Sequence, residues 1–277
     1  MIAMSESKKK KNVLINVCTF LCGLVIGGTL MYLVCGNKTE STKGTTLAYE
    51  SDYPQVYGLD VSYWQGIIQW DQLSLPCDEE GKVSGQITEP CNQRPAQFVF
   101  IRATKYGYIV DSHYQRNYNE AKKLGIPCGA YHFLTDTASA KVQAELFLSH
   151  VQLEPGDLPP VLDVEIDSRE IITKAKEWLE IVEKQCGVKA IIYTTMHIYE
   201  TRIKNDPILS TRDLWLAKPR GEMPDVPNCK FWQFTQKGHV LGITDNVVDI
   251  DQFNGTLQEL RDYIQEKGIK QKVKSKK

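Results

Sequence analysis

Eight short apolar runs, separated along most of the chain by helical patterns, restrict the fold more than any other feature. The runs lie at about residues 56–61, 97–102, 127–133, 159–165, 189–194, 213–217, 230–234 and 246–251. The helical patterns lie at about residues 112–124, 137–152, 168–186, 197–204 and 256–267. This alternation is typical of parallel strands joined by crossover helices, and eight strands fit a closed barrel. We therefore predict an α/β fold, a TIM-like barrel that is irregular in its last third, where the connections are short or rich in proline and glycine.

The amino-terminal part of the chain has a different character. Four consecutive lysines, at positions 8–11, precede an uncharged apolar stretch at residues 13–35. A helix of that length would extend about 34 Å, which is enough to cross a hydrocarbon core of roughly 30 Å. Because lysine-rich flanks stay in the cytoplasm, we predict a single-pass membrane protein with a cytoplasmic N-terminus and an extracytoplasmic domain. A cleaved signal peptide is the alternative, but its apolar region usually has about 7–15 residues and ends at a small-residue cleavage site, which is missing here.

These patterns divide the chain into five regions. They are a cytoplasmic basic tail (1–12), a transmembrane signal anchor (13–35), a stalk (36–55), a barrel domain (56–266) and a basic C-terminal tail (267–277). The formal net charge of -1 combines about +3 in the first tail and +6 in the last, so the residues between them carry about -10. A protein that binds nucleic acid needs a basic face on its folded body. We therefore exclude nucleic acid as a partner and expect a monomer held at the membrane.

The cysteines that follow the apolar stretch are of two kinds. Cys77 and Cys91 bracket a polar, glycine-containing segment, and an extracytoplasmic location would permit a disulfide bond between them. Cys128, Cys186 and Cys229 lie in apolar runs or at the ends of elements, so we expect buried thiols. No spacing of cysteine or histidine matches a zinc site, and no cofactor is implied.

Two carboxylic acids end the fourth apolar run. Because side chains of a strand alternate between its faces, Asp163 and Glu165 should point to the same side. Acids that share a confined site cannot both ionise freely, so one of them keeps a proton near neutral pH. Such a pair suits the cleavage of a glycosidic bond, although two acids that only solvate a loop would give the same pattern.

The other strand ends carry polar and aromatic side chains. In a barrel of this kind the catalytic groups come from the carboxyl-terminal ends of the strands, where we place the acids Asp60, Asp249 and Asp251. Aromatic rings stack on sugar rings while carboxylates hold hydroxyl groups, so we predict a carbohydrate site. The candidate substrate-binding residues are Tyr63, Arg102, Lys105, Tyr131, Tyr193, Trp232 and Gln233. Tyr193 and Trp215 would fit the barrel core equally well.

Six motifs follow one another along the predicted barrel. They are Gly58-Leu59-Asp60-Val61-Ser62 with Trp64-Gln65-Gly66, then residues 98–104, 129–133, 162–165, 231–234 and 248–253. In this order they resemble glycoside hydrolase family 25, the lysozymes of the N,O-diacetylmuramidase type, over about residues 56–266. The resemblance implies an irregular barrel of five β/α units followed by three strands, (β/α)5(β)3. It also implies hydrolysis of the β-1,4 bond between N-acetylmuramic acid and N-acetylglucosamine in peptidoglycan.

The same resemblance implies roles for four acids. Glu165 matches the family's general acid and Asp163 its partner, while Asp60 and Asp249 match two further acids of the cleft. The family retains anomeric configuration, and two routes are open: an aspartate attacks the sugar, or the substrate's own 2-acetamido oxygen does so. We favour the second route, with Asp163 orienting the acetamido group and the other two aspartates positioning sugar and water. Which aspartate has which role stays open.

One position departs from the family pattern. After Ala-Thr the family commonly has Glu-Gly, whereas this chain has Lys105-Tyr106-Gly107. A lysine there can change the pKa values of the carboxyl groups or the preferred glycan. Two alternatives therefore stay open: a peptidoglycan-binding membrane protein with impaired catalysis, and a hydrolase of another amino-sugar polymer such as chitin. We expect His132 to orient its neighbours rather than to act as a base.

Overall fold

The computed structural model describes residues 53–86 and 92–272. The predicted membrane span at residues 13–35 and nearly all of the predicted stalk lie outside these residues, so both stay predictions. In the described part of the chain, no helix is both long enough and apolar enough to cross a bilayer.

A sheet of nine strands forms the centre of the fold, and eight of these strands close into a barrel. The strands of the described residues are β1 (Val56–Val61), β2 (Leu75–Cys77), β3 (Asn92–Arg94), β4 (Val99–Lys105), β5 (Ile109–Val110), β6 (Cys128–Phe133), β7 (Val161–Val164), β8 (Ile191–Thr195), β9 (Leu214–Ala217), β10 (Cys229–Gly238) and β11 (Val248–Phe253). β2 and β3 form a separate hairpin, and β5 pairs at the edge with β4. The eight predicted barrel strands are confirmed to within a few residues.

The barrel closes through two different pairings of β1. This strand pairs in parallel with β4 and antiparallel with β11. β11 is also antiparallel to β10, whereas each pair of neighbours from β4 round to β10 is parallel. The expectation that the eighth strand runs in the same direction as the others is therefore wrong. The chain between β10 and β11, residues 239–247, contains no crossover helix, and a short connection of this kind joins antiparallel strands.

Helices surround the barrel and close one end of it. The longer α-helices of the described residues are α1 (Tyr114–Lys123), α2 (Ala140–His150), α3 (Arg169–Cys186) and α4 (Leu257–Lys267). Shorter helical turns lie at Met196–Ile198, which continues as a π-helix at Tyr199–Ile203, and at Tyr63–Gln65, Trp70–Gln72 and Leu209–Thr211. The side chains of Ser139, Ser168 and Thr256 cap the first turns of α2, α3 and α4. These helices lie where the sequence predicts them because their start and stop signals are local.

The apolar side chains form two layers, since successive residues of each strand point to opposite faces. The outer layer packs between the sheet and α1 to α3. The inner layer fills the barrel with aromatic rings, among them Phe100 and Trp215, whose centroids are 4.4 Å apart. Gly129 makes room for this packing, because a Cβ atom there would lie 2.4 Å from the ring of Phe100. A filled interior confines any binding site to one rim of the barrel.

The cysteines agree in part with the sequence analysis. Cys128, Cys186 and Cys229 are buried thiols, as expected. Cys77 is buried in β2, but Cys91 lies outside the described residues. The disulfide bond between them therefore stays a prediction.

Candidate active site

All eight barrel strands contribute side chains to a small cleft at one rim. The cleft has a volume of about 150 Å³. Its acids are Asp60, Asp163, Glu165 and Asp249, and its other lining residues are Arg102, Lys105, Tyr131, Phe133, Tyr193, Trp215, Gln233 and Gln236. The structure thus brings together the four acids that the sequence analysis selected, from three strands that are distant in sequence.

The carboxyl groups of Asp163 and Glu165 interact with each other at the end of β7. Because two ionised carboxylates repel each other and neither can donate a hydrogen bond, their proximity favours the state in which one of them is protonated. Burial raises the pKa of Asp163 well above its usual range, and the nearby charges of Glu165 and Asp60 raise it further. Burial also raises the pKa of Glu165, which keeps one side open to solvent. The pair can therefore hold a proton at a pH where exposed carboxyl groups have lost theirs.

Asp60 and Asp249 form a second pair, which is bridged by an amide. They occupy partnered positions of β1 and β11, and Gln233 Nε2 donates to Asp60 Oδ2 at 2.9 Å and to Asp249 Oδ2 at 3.1 Å. Burial and the charge of Asp249 raise the pKa of Asp60 well above its usual range. Burial and the charge of Glu165 raise the pKa of Asp249 to about 7. The four acids consequently influence one another's ionisation.

The hydrogen bonds to the carbonyl oxygen of the Gln233 amide fix the orientation of this side chain. Its carbonyl oxygen accepts a hydrogen bond from the hydroxyl of Tyr193 at 2.9 Å and one from the amide of Gln236 at 3.1 Å. Carboxylates only accept hydrogen bonds, so the amide nitrogen must face the two aspartates. Tyr193 is therefore both a lining residue of the cleft and the group that orients Gln233.

Asp251 lies beneath this pair, inside the barrel. Its side chain is fully buried, and its Oδ1 accepts a hydrogen bond from Trp215 Nε1 at 2.8 Å. Within the described residues its Oδ2 has no partner. Burial raises the pKa of Asp251 well above its usual range, which favours the neutral acid. Placing Asp251 at the rim was wrong, because in the reversed strand β11 the residues after Asp249 lead into the barrel.

Arg102 is held at the edge of the cleft by Asp111. Both Nε and Nη2 of the guanidinium group lie 3.0 Å from Asp111 Oδ2, which also accepts the backbone N–H of Tyr63 at 3.0 Å. The ring of Tyr63 lies 5.0 Å from the guanidinium carbon. Sequence reasoning did not select Asp111 as a site residue. Its position just before a helical pattern gave no signal that it joins Arg102 to the backbone of Tyr63.

Trp232 differs from the predicted arrangement, whereas His132 contacts its neighbours as expected, with its ring nitrogens 2.7 Å from the hydroxyl of Thr104 and 3.1 Å from the amide oxygen of Gln143. Trp232 does not line the cleft, because it lies on the opposite face of β10 from Gln233; its indole N–H donates to the backbone oxygen of Lys218 at 2.9 Å. His132 is fully buried against Trp178 on the helix side of the sheet, and burial lowers its pKa to about 4. In residues 53–86 and 92–272, no group of three or more His, Cys, Asp or Glu side chains is arranged to hold a metal ion.

Comparison with known proteins places this geometry in a family. The family model described as Glycosyl hydrolases family 25 matches residues 59–243. The protein YegX of Escherichia coli strain K12, described as uncharacterized, is 35% identical over 222 residues, which are 78% of this chain and 75% of that protein. Lysozyme M1 of Streptomyces globisporus is 28% identical over 262 residues, 86% of this chain and 82% of the relative. The structure of a family 25 glycosyl hydrolase from Bacillus anthracis is similar with a TM-score of 0.60 and 27% identity, covering 80% of this chain and 99% of that one.

Proposed function

This chain belongs to glycosyl hydrolase family 25 and is a glycoside hydrolase, and on that premise we propose that it is a muramidase. Its substrate would be the β-1,4 bond between N-acetylmuramic acid and N-acetylglucosamine in peptidoglycan strands. The observation that carries the proposal is the convergence of four acids, Asp163 and Glu165 with Asp60 and Asp249 beside them, in one cleft. The name of the Streptomyces relative, Lysozyme M1, supports the same activity.

Glu165 is the general acid of the proposed reaction. It is the member of the pair that remains open to solvent, so it can reach the oxygen of a glycosidic bond in the cleft. Its raised pKa keeps a fraction protonated near neutral pH. As the bond between C1 of muramic acid and the leaving O4 breaks, Glu165 gives its proton to that oxygen.

Asp163 would bind the 2-acetamido group of the sugar that reacts. Its Oδ1 is buried without a donor among the described residues, and the acetamido N–H would supply that donor. A hydrogen bond from the substrate favours the ionised form of Asp163 and so leaves the proton of the pair on Glu165. Substrate binding would thus leave Glu165 protonated before the glycosidic bond breaks. The acetamido oxygen, held by this contact, attacks C1 from the side opposite the leaving group.

Asp60 and Asp249 would act in the second half of the reaction. Water attacks C1, the acetamido oxygen leaves C1, and Glu165 accepts the proton of the water, so that configuration is retained. Gln233 bridges the two aspartates, and the ionised member of this second pair would stabilise positive charge near C1. A direct attack by an aspartate remains the alternative route.

We also propose that residues 13–35 anchor the enzyme in the cell membrane, with the barrel outside the cytoplasm. The support is the length and apolar character of that stretch and the four lysines before it. This location would place the enzyme beside its proposed substrate.

The test is the release of new reducing ends from purified peptidoglycan by the full-length protein in detergent. Mass spectrometry of the products identifies the sugar at each new end. A muramidase leaves N-acetylmuramic acid there, whereas cleavage of the other bond leaves N-acetylglucosamine. Chitin oligosaccharides form the parallel assay for a hydrolase of another amino-sugar polymer.

The alternative of a glycan-binding protein with impaired catalysis has its own expected result. It predicts binding to peptidoglycan sacculi without any new reducing ends. The observation behind this alternative is Lys105, which lines the cleft where the family commonly has glutamate. Release of muramic acid ends by the wild-type protein would exclude it.

A further inference from the structure

Lys105 lies in the same layer of the barrel as the catalytic carboxyl groups. It ends β4, where it is partnered with Phe133 of β6, and Phe133 is in turn partnered with Asp163 of β7. The ammonium group lies 4.6 Å from the ring centre of Phe133 and 4.7 Å from that of Tyr106. Two aromatic faces therefore hold a positive charge at the side of the cleft that carries Glu165.

This charge has no ionic partner within the described part of the chain. The other basic residue of the cleft, Arg102, is paired with Asp111. Asp163 and Glu165 line the same cleft and interact with each other, and neither is within ion-pair distance of Lys105 in the described residues. Lys105 is close enough to Glu165 to lower its pKa, yet it forms no ion pair with it.

The backbone beside Lys105 is strained. Tyr106 has a φ of 58°, in the left-handed region that favours glycine, and its ring stacks on that of Tyr108 with centroids 5.9 Å apart. A bulky residue in this conformation is strained, and such strain is concentrated at functional sites. Here the strained residue supplies one of the two rings that hold the ammonium group.

We propose that Lys105 determines substrate specificity by binding a carboxylate of the glycan beside the bond that is cleaved. The inference rests on the proposed function. A cleft lined by four acids would otherwise repel a carboxylate, so one unpaired ammonium group decides whether such a substrate is accepted. Muramic acid carries a lactyl group whose carboxylate is free in strands without stem peptides and is amide-linked in strands that carry them. A stem peptide also has carboxylates of its own, so either source could supply the anion.

Three substrates separate these sources. They are peptide-free glycan strands, the same strands with the lactyl carboxyl groups converted to methylamides, and strands that carry their stem peptides. The wild-type full-length protein should have a kcat/KM about tenfold higher for the free acid than for the methylamide, which corresponds to ~1.4 kcal/mol. Peptide-bearing strands cleaved faster than the free acid would assign the carboxylate to the stem peptide; the reverse order would assign it to the lactyl group.

The variants Lys105→Met and Lys105→Glu test whether this preference depends on Lys105. The first should bring the ratio of acid to methylamide close to one, and the second should invert it. Lys184→Met is the matched control, since Lys184 is an exposed lysine in the last turn of α3. It should keep the wild-type ratio.

Binding gives a readout that is independent of turnover. In a Glu165→Gln background, calorimetry should show tighter binding of the peptide-free acid than of the methylamide, and Lys105→Met should remove that difference. The proposal would be overturned if Lys105→Met left both the ratio of acid to methylamide and the ratio of peptide-bearing to peptide-free strands unchanged, or if it changed only the pH profile. If the wild-type protein cleaves none of the three substrates, the proposed function fails, and the binding comparison alone then decides the role of Lys105.

Discussion

Asp60 and Asp249 face each other across the antiparallel pairing of β1 and β11, and the amide of Gln233 donates a hydrogen bond to each carboxyl group. This relationship exists only because β11 is reversed relative to the other barrel strands. Because β11 runs in the opposite direction, its start lies at the rim where the parallel strands end. Asp249, near that start, therefore lies at this rim.

Replacing Gln233 by leucine should lower kcat/KM about 10- to 100-fold. The leucine removes the donor to both aspartates, and the pKa of Asp60, which that hydrogen bond lowers, should rise. A pH profile of kcat/KM should therefore shift towards higher pH. Gln258→Ala is the control, because Gln258 is an exposed glutamine in the first turn of α4, outside the cleft. An unshifted profile for Gln233→Leu would show that the amide is only a packing group.

Glu165→Gln should reduce kcat at least about 1,000-fold while the fold is kept. Glutamine has almost the same shape but no proton to give to the leaving oxygen. Reducing-end release measures the loss, and circular dichroism with thermal unfolding checks the fold. Glu170→Gln, at the exposed start of α3, is the matched control and should retain full activity. Substantial turnover by Glu165→Gln would assign the acid role to another residue.

Asp249→Asn should make the protein more stable at pH 8 than the wild type. The native pKa of Asp249 is about 7, above that of an unfolded chain, so between pH 4 and 7 the folded state holds a proton that the unfolded state has lost. The stability of the wild type therefore falls as the pH rises through this window. The full shift in the pKa of Asp249 corresponds to ~4 kcal/mol of free energy of unfolding. Because Asp249 also interacts with Glu165 and Asp60, we expect Asp249→Asn to raise the free energy of unfolding at pH 8 by about 1–3 kcal/mol.

Urea unfolding at pH 4 and pH 8 measures this effect. The gain in Asp249→Asn should be large at pH 8 and small at pH 4, where the aspartic acid of the wild type is itself neutral. The exposed Asp225→Asn is the control and should not change the slope of stability against pH. Equal stabilities of Asp249→Asn and wild type at pH 8 would contradict the raised pKa.

Asp111→Ala should destabilise the fold by about 2–4 kcal/mol and raise KM. The change removes a buried carboxylate, leaves Arg102 without its partner and frees the backbone N–H of Tyr63. Asp167→Ala removes a comparable carboxylate from an ion pair with Arg202 that is open to solvent. Thermal unfolding should show little change for Asp167→Ala. Similar effects of both changes would mean that Asp111 has no special part in the site.

The full-length protein should remain in the membrane fraction after alkaline carbonate extraction. Replacing both Leu24 and Val25 by aspartate should release the protein from the membrane, because an ionised side chain at the centre of a span costs about 2.5–3.5 kcal/mol. Protease added outside the cytoplasm should reach the barrel of the wild type. If carbonate extracted the wild-type protein, the hypothesis that residues 13–35 anchor it in the membrane would be rejected.

The sequence predicted the eight barrel strands and the main helices because their signals are local. Each of these signals acts within a few positions of the chain. They are the alternation of apolar and polar residues in strands, the serine and threonine caps of helices, and Gly187 at the end of α3. The same short-range alternation predicts that Asp163 and Glu165 share a face. A family pattern added Asp60 and Asp249 to the list of acids.

Tertiary structure alone decided how these residues meet. Contacts between residues far apart in the chain produce the reversal of β11, the bridge from Gln233, the hydrogen bond from Tyr63 to Asp111 and the packing of Lys105 on Phe133. Such contacts are set by strand register and direction, and a single strand's sequence does not encode its partner. The sequence by itself therefore determined which chemical groups this barrel carries, and closure of the barrel decided which of them face one another and how each is charged.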